Sequence, residues 1–129
     1  MILDTCFIID LLKNKNGAYQ KSKELENSST SLLTTAVTIF EIWQGIHDIQ
    51  NPERIKKTNQ LLSSLGLLQL DIDSAKIAGE IHSRLINKGI MIESEDSMIA
   101  GICVTKNETL LTRNVKHFSR IDGLKIETY

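Results

Sequence analysis

The chain has no apolar run approaching the length of a bilayer span, no CxxC pair, no HxxxH and no excess of positive charge. Each absence closes off a class. A membrane-spanning helix needs about 20 consecutive apolar residues, so none is expected. The sequence opens directly on a strand-like segment, which leaves no room for a secretory leader and makes a cytoplasmic location the default expectation. Cys6 and Cys103, the only cysteines, lie too far apart in sequence for a disulfide framework or zinc knuckle and are read as small core hydrophobes. His47, His82 and His117 share no ligand spacing, so surface or capping roles are expected. The formal net charge of −1 supplies no global field for a polyanion, so any nucleic-acid contact must come from local basic residues.

What is present is an ordinary globular composition, 41% hydrophobic and 24% charged, over 129 residues, enough to bury a core without cross-links. No repeat, low-complexity tract or linker rich in Pro, Gly or Ser divides it, so residues 1–129 are read as one domain. Short apolar runs at 1–3, 31–34, 67–70, 109–112 and 124–126 read as strands, and 18–25, 39–49, 53–65, 74–87 and 96–105 have helical periodicity. Asn51-Pro52 opens one helix, Asp73 is a suitable cap for the next, and Gly89 closes that helix at a left-handed position. Gly66 is read as a separator between helix and strand. Strands alternating with helices imply an α/β fold whose mostly parallel sheet is covered on both faces.

In such a sheet, ligands bind beyond the carboxyl ends of the strands, which gives polar residues there a functional prior. Asp4 follows the first strand, with Thr5 placed to hold its carboxylate, although Asp4 serves equally well as a cap for a helical stretch at 6–12. Glu41 falls in Thr38-x-x-Glu41, a capping-box pattern, yet stands among Ile39, Phe40, Ile42 and Trp43, where an unpaired acid is expensive. Gly45, one turn on, is read as a point of close approach. Asp96 belongs to Glu93-Ser94-Glu95-Asp96, at the start of a helix too apolar for the surface; Asp96 is expected to look inward and the two glutamates outward. The fourth strand gives way to Thr112-Arg113-Asn114, which can supply neutral oxygens, position a water or simply make a turn. Together these place three carboxylates and an amide along one sheet edge. Clustered carboxylates repel unless a cation neutralises them, and oxygen ligands favour Mg2+ or Mn2+, ions suited to phosphoryl chemistry.

Of the basic residues, Lys13, Lys15, Arg54, Lys56, Lys57 and Lys116 are expected to be solvated surface, while Arg113 flanks the acids and could grip a phosphate with its fork of N–H groups. Asp71 and Asp73 are assigned to a turn and a cap, and Asp10 is left outside the site. Trp43, Ile39, Phe40 and Ile46 are read as core, with any exposed part of that face suited to a docking helix.

Asp4-Thr5 followed by Asp10-Leu11-Leu12, Thr38-x-x-Glu41-x-x-x-Gly45, Asp96-x-x-Ile99-Ala100 and Leu111-Thr112-Arg113-Asn114 with Phe118, in this order over nearly the whole chain, resemble the PIN-domain nucleases and, within them, the VapC-like toxins. The resemblance implies a three-layer α/β/α fold, Mg2+ or Mn2+ held by Asp4, Glu41 and Asp96, and hydrolysis of RNA phosphodiester bonds by a metal-activated water. It also implies a homodimer and a cognate antitoxin that blocks the site. Many relatives carry a fourth acid near the end of the fourth strand, where this chain has Asn114 and then His117, so Asn114 is expected to complete the site through a water, with Thr5, Thr112 and Arg113 supporting. That departure keeps a second reading open, a catalytically inactive RNA- or protein-binding module. An aspartyl phosphatase is disfavoured, because it needs Asp-x-Asp after the first strand and Cys6 stands where the second Asp belongs.

Overall fold

The computed structural model describes residues 1–129. Five short parallel strands form one sheet in the order β3-β2-β1-β4-β5: β1 Ile2–Leu3, β2 Leu33–Thr35, β3 Gly66–Leu68, β4 Thr109–Leu111 and β5 Lys125–Glu127. Helices α1 (Thr5–Leu12) and α2 (Asn16–Glu26) join β1 to β2, α3 (Ala36–His47) and α4 (Pro52–Ser63) join β2 to β3, α5 (Ile72–Asn87) and α6 (Ser94–Lys106) lead to β4, and α7 (Val115–Phe118) precedes β5.

Alternation along the central strands makes three layers. Ile2 and Leu110 point into one apolar cluster, with Ile81, Leu85, Ile99 and Cys103 from α5 and α6. Their neighbours Leu3 and Leu111 point into the other, with Phe7, Ile8, Ala18 and Ile42 from α1, α2 and α3. The central strands β1 and β4 are covered on both faces, which is why they read as continuous apolar runs, whereas Leu67 on the edge strand β3 is 51% exposed. The chain builds outward from β1 through β2 to β3 and then crosses to β4 on the other side. Strand order therefore reverses at β1, and the crevice such a reversal opens lies beyond Leu3, at Asp4.

Several local readings are revised. The cap of α3 is Thr35, whose hydroxyl accepts from Thr38 N–H at 3.0 Å; Thr38 is buried in the first turn, so Glu41 is a helix-interior residue and not the acid of a capping box. Asp71, not Asp73, caps α5, accepting from Ser74 N–H at 2.9 Å. Asn51 and Pro52 open α4, and Gly89 sits at φ +74°, both as expected. Gly66 begins a strand, donating to Leu32 O at 3.0 Å, and does not merely separate elements. Gly45 faces open space, whereas Gly101 carries the close approach: a Cβ there would lie 2.6 Å from Ser74 O and 2.7 Å from Ala78 Cβ. No helix is long and apolar enough to cross a membrane.

Candidate active site

Asp4 leaves β1 as the N-cap of α1 and is only 4% exposed. Its Oδ1 accepts from Thr5 N–H at 2.8 Å, and its Oδ2 accepts from the Thr112 hydroxyl at 2.6 Å and the Cys6 thiol at 3.0 Å. The cap and site readings of Asp4 are thus compatible. Thr5 does hold the carboxylate, but through its peptide N–H; its hydroxyl donates instead to Glu41 Oε2 and so links α1 to α3. Thr112, fully buried at the end of β4, turns toward Asp4 and also accepts from Asn114 N–H at 3.0 Å.

Glu41 and Asp96 complete an acidic neighbourhood. Burial pushes the Glu41 carboxyl above its ordinary range against the stabilising Thr5 hydroxyl, and the negative charges of Asp4, Asp96 and Glu95 push it further. Asp96, in the first turn of α6, is likewise raised by burial and by Asp4, with His117 opposing. The three acids therefore feel one another across β1, α3 and α6, and no Lys or Arg forms an ion pair with any of them. Their side chains do not, however, close into a ligand cage: no group of three His, Cys, Asp or Glu side chains is placed to hold a metal ion. The chemistry of the donor set, hard carboxylate oxygens without a protein cation, fits Mg2+ or Mn2+.

Three residues, Cys6, His117 and Glu95, have contacts beyond those expected. Cys6 is not a core hydrophobe but a half-buried donor in the site, where burial and the Asp4 charge push its thiol up and keep it protonated; Cys103 is buried as expected. His117 lies at the surface, yet its Nδ1 is 3.7 Å from Asp96 Oδ2 and 3.0 Å from Asn114 Nδ2, so it belongs to the acidic neighbourhood. Asn114 thereby faces His117. Glu95 is half-buried beside Glu41 and does not simply face solvent. The three-residue step from Asn114 to His117 was the one signal for His117, since on a helical turn it brings the two together.

Arg113 pairs with Asp10, its NH1 2.9 Å from Oδ2. Phe40 and Trp43 are 57% and 39% exposed, so this face of α3 looks outward although Ile42 and Ile46 are buried. A shallow cavity of about 710 Å³ lies along it, beside Ala36, Phe40, Trp43 and Gln44. A separate cavity of about 510 Å³ between α5 and α6, beside Leu70, Ala78, Ile86 and Met98, has His82 as its one ionisable lining residue.

The PIN domain family matches residues 1–124 of the chain. The chain belongs to the PIN-domain family. Ribonuclease VapC2 of Rickettsia felis is 26% identical over 99% of this chain and 96% of its own. The tRNA(fMet)-specific endonuclease VapC of Salmonella typhimurium is 31% identical, covering 99% of this chain and 96% of its own. Among solved structures, VapBC2 from Rickettsia felis bound to a promoter DNA fragment superposes with a TM-score of 0.89 at 25% identity, over 99% of this chain and 97% of that one. DNA-bound VapBC from Salmonella typhimurium gives 0.87 at 30% identity, over 98% and 96%. The PIN fold accounts for the α/β/α layering and for the parallel sheet.

Proposed function

We propose that this chain is the endoribonuclease toxin of a toxin-antitoxin pair, acting in the cytoplasm on RNA phosphodiester bonds with Mg2+ or Mn2+ held by Asp4, Glu41 and Asp96. The observation that supports this most strongly is the gathering of the three acids where the strand order reverses, without a lysine or arginine to neutralise them. A divalent ion bound there supplies Lewis acidity toward the phosphate and lowers the pKa of water. Thr112 and the Thr5 peptide hold Asp4 in one orientation, and the Thr5 hydroxyl sets that of Glu41. Asn114, 3.0 Å from the His117 ring that faces Asp96, would orient a water in place of the fourth acid. The named relatives are ribonucleases and endonucleases, and the solved neighbours are toxin-antitoxin complexes, which supports the same reading.

A cognate antitoxin is the expected protein partner, and the exposed Phe40 and Trp43 on α3 suit an apolar helix laid along them. A homodimer is part of the same proposal. The test is cleavage of structured RNA by the purified protein with Mn2+, beside Asp96→Asn. Wild-type cleavage lost in the variant is expected; a wild type no better than the variant would favour a non-catalytic binding module, the reading that Asn114 and His117 in place of a fourth acid keep open.

A further inference from the structure

Asp10 lies in the last turn of α1, 2% exposed, where an acid gains nothing from the helix dipole and loses its hydration. It is charged nonetheless. Burial would push its carboxyl up, but Lys15, Tyr129 and Arg113 override that and hold it below the ordinary range. Oδ2 accepts from the Tyr129 hydroxyl at 3.0 Å and faces Arg113 NH1 at 2.9 Å. Oδ1 lies 2.8 Å from Lys15 Nζ, outside hydrogen-bond angle, so charge alone holds that side.

The two cations have no other acidic partner, and both side chains remain half exposed, 48% for Lys15 and 50% for Arg113. Two cations on one carboxylate leave a net positive charge with free N–H groups turned to solvent. Arg113 is also the residue between Thr112, which grips Asp4, and Asn114. A positive seat is therefore fixed to the loop that carries one wall of the acidic site. RNA approaching that site meets concentrated negative charge on a chain of net charge −1, and a neighbouring fixed cation pair offsets that repulsion. The guanidinium, held to Asp10 as an ion pair, keeps donors free for a phosphate.

Resting on the ribonuclease reading, we propose that Asp10 is a positioning residue that presets Lys15 and Arg113 as a seat for an RNA backbone phosphate next to the cleaved bond. The binding test uses a fluorescein-labelled single-stranded RNA, with EDTA present to prevent cleavage and anisotropy read across a salt series. Arg113→Gln and Lys15→Gln each weaken binding roughly five- to tenfold at low salt, and each lowers the slope of log affinity against log salt by about 0.7. Arg113→Lys recovers the slope and only part of the affinity. Asp10→Asn is the discriminating variant: it adds a positive charge overall, yet it weakens binding if position matters. Tighter or unchanged binding in Asp10→Asn would overturn its positioning role, and unchanged binding in the Arg113 and Lys15 variants would overturn the seat, leaving those cations to an acidic protein partner. With Mn2+ present, Arg113→Gln raises KM while kcat is kept. Wild-type cleavage alongside unaltered RNA affinity in the variants sinks this proposal alone; altered affinity with no wild-type cleavage sinks the catalytic reading and leaves the seat standing.

Discussion

Asp4 is almost entirely out of water, and its two oxygens are met by a peptide N–H, a hydroxyl and a thiol, with no cation among the protein groups. A buried carboxylate satisfied only by neutral donors depends heavily on each of them. Thr112 carries the shortest of these bonds and is itself fully buried, so Thr112→Val leaves Asp4 Oδ2 with the weak thiol donor alone. The expected cost is about 1–3 kcal/mol of stability in urea denaturation. RNA cleavage falls as well, because Asp4 is no longer held in one rotamer, and Thr112→Ser restores both. A valine variant as stable and active as wild type would show that the hydroxyl does not hold Asp4. Cys6 is the weaker partner: its thiol, kept protonated by burial and by the Asp4 charge, donates only a soft hydrogen bond.

At the level of elements, α6 delivers Asp96 to the site, and what sets α6 is its contact with α5 at Gly101. The close neighbours there are Ser74 O, Ala78 N and Ala78 Cβ, mostly backbone that cannot swing aside. Gly101→Ala therefore drives the helices apart, and despite the better intrinsic helix propensity of alanine it destabilises by about 1–3 kcal/mol. Thermal denaturation checks the sign; Gly45→Ala, which meets nothing within 4 Å, is the control and should be neutral or stabilising. The pair also marks how far the sequence could be read. A glycine inside a helical stretch announces itself, but which one meets another helix is decided by packing between segments about 25 residues apart, and Gly45 was the wrong choice. Strand positions are legible to within a residue or two because each strand carries at least one apolar residue in a short run, and β1 and β4, buried on both faces, are nearly all apolar. The cap of α3 is not, since Thr35 and Thr38 are equally good capping residues and only the helix start separates them. Asp4 and Asp96 stand out in the sequence because they lie at a strand end and a helix start, and Glu41, inside α3, because it is an acid among apolar neighbours. Asp10 with Arg113, and Asp96 with His117, do not, because those pairs form only when β4 lies beside β1 and α6.

Over the whole molecule the near-zero net charge conceals a separation: Asp4, Glu41, Glu95 and Asp96 crowd one place, while Lys15 and Arg113 are committed to Asp10. Burial and mutual repulsion raise the Glu41 and Asp96 carboxyls in the folded state. A carboxyl whose folded pKa exceeds its unfolded value binds its proton more readily when folded. Stability is then greatest below the unfolded pKa, declines as pH rises through the interval up to the folded value, and stays reduced at neutral pH. The acidic cluster is thus a source of instability that a divalent ion would relieve. In EDTA at neutral pH, Asp96→Asn should melt roughly 2–5 °C above wild type, because removing about 1 kcal/mol of repulsion shifts a domain of this size by that much. Titrating Mn2+ should reverse the order: an ion that binds only the folded state stabilises by about 2.7 kcal/mol at a hundredfold excess over Kd, and the variant lacks a ligand for it. Differential scanning fluorimetry with and without Mn2+ reads both arms. A wild type whose Tm ignores the ion, or an Asp96→Asn variant that gains as much from it, would mean that these acids do not share a cation, whatever their proximity.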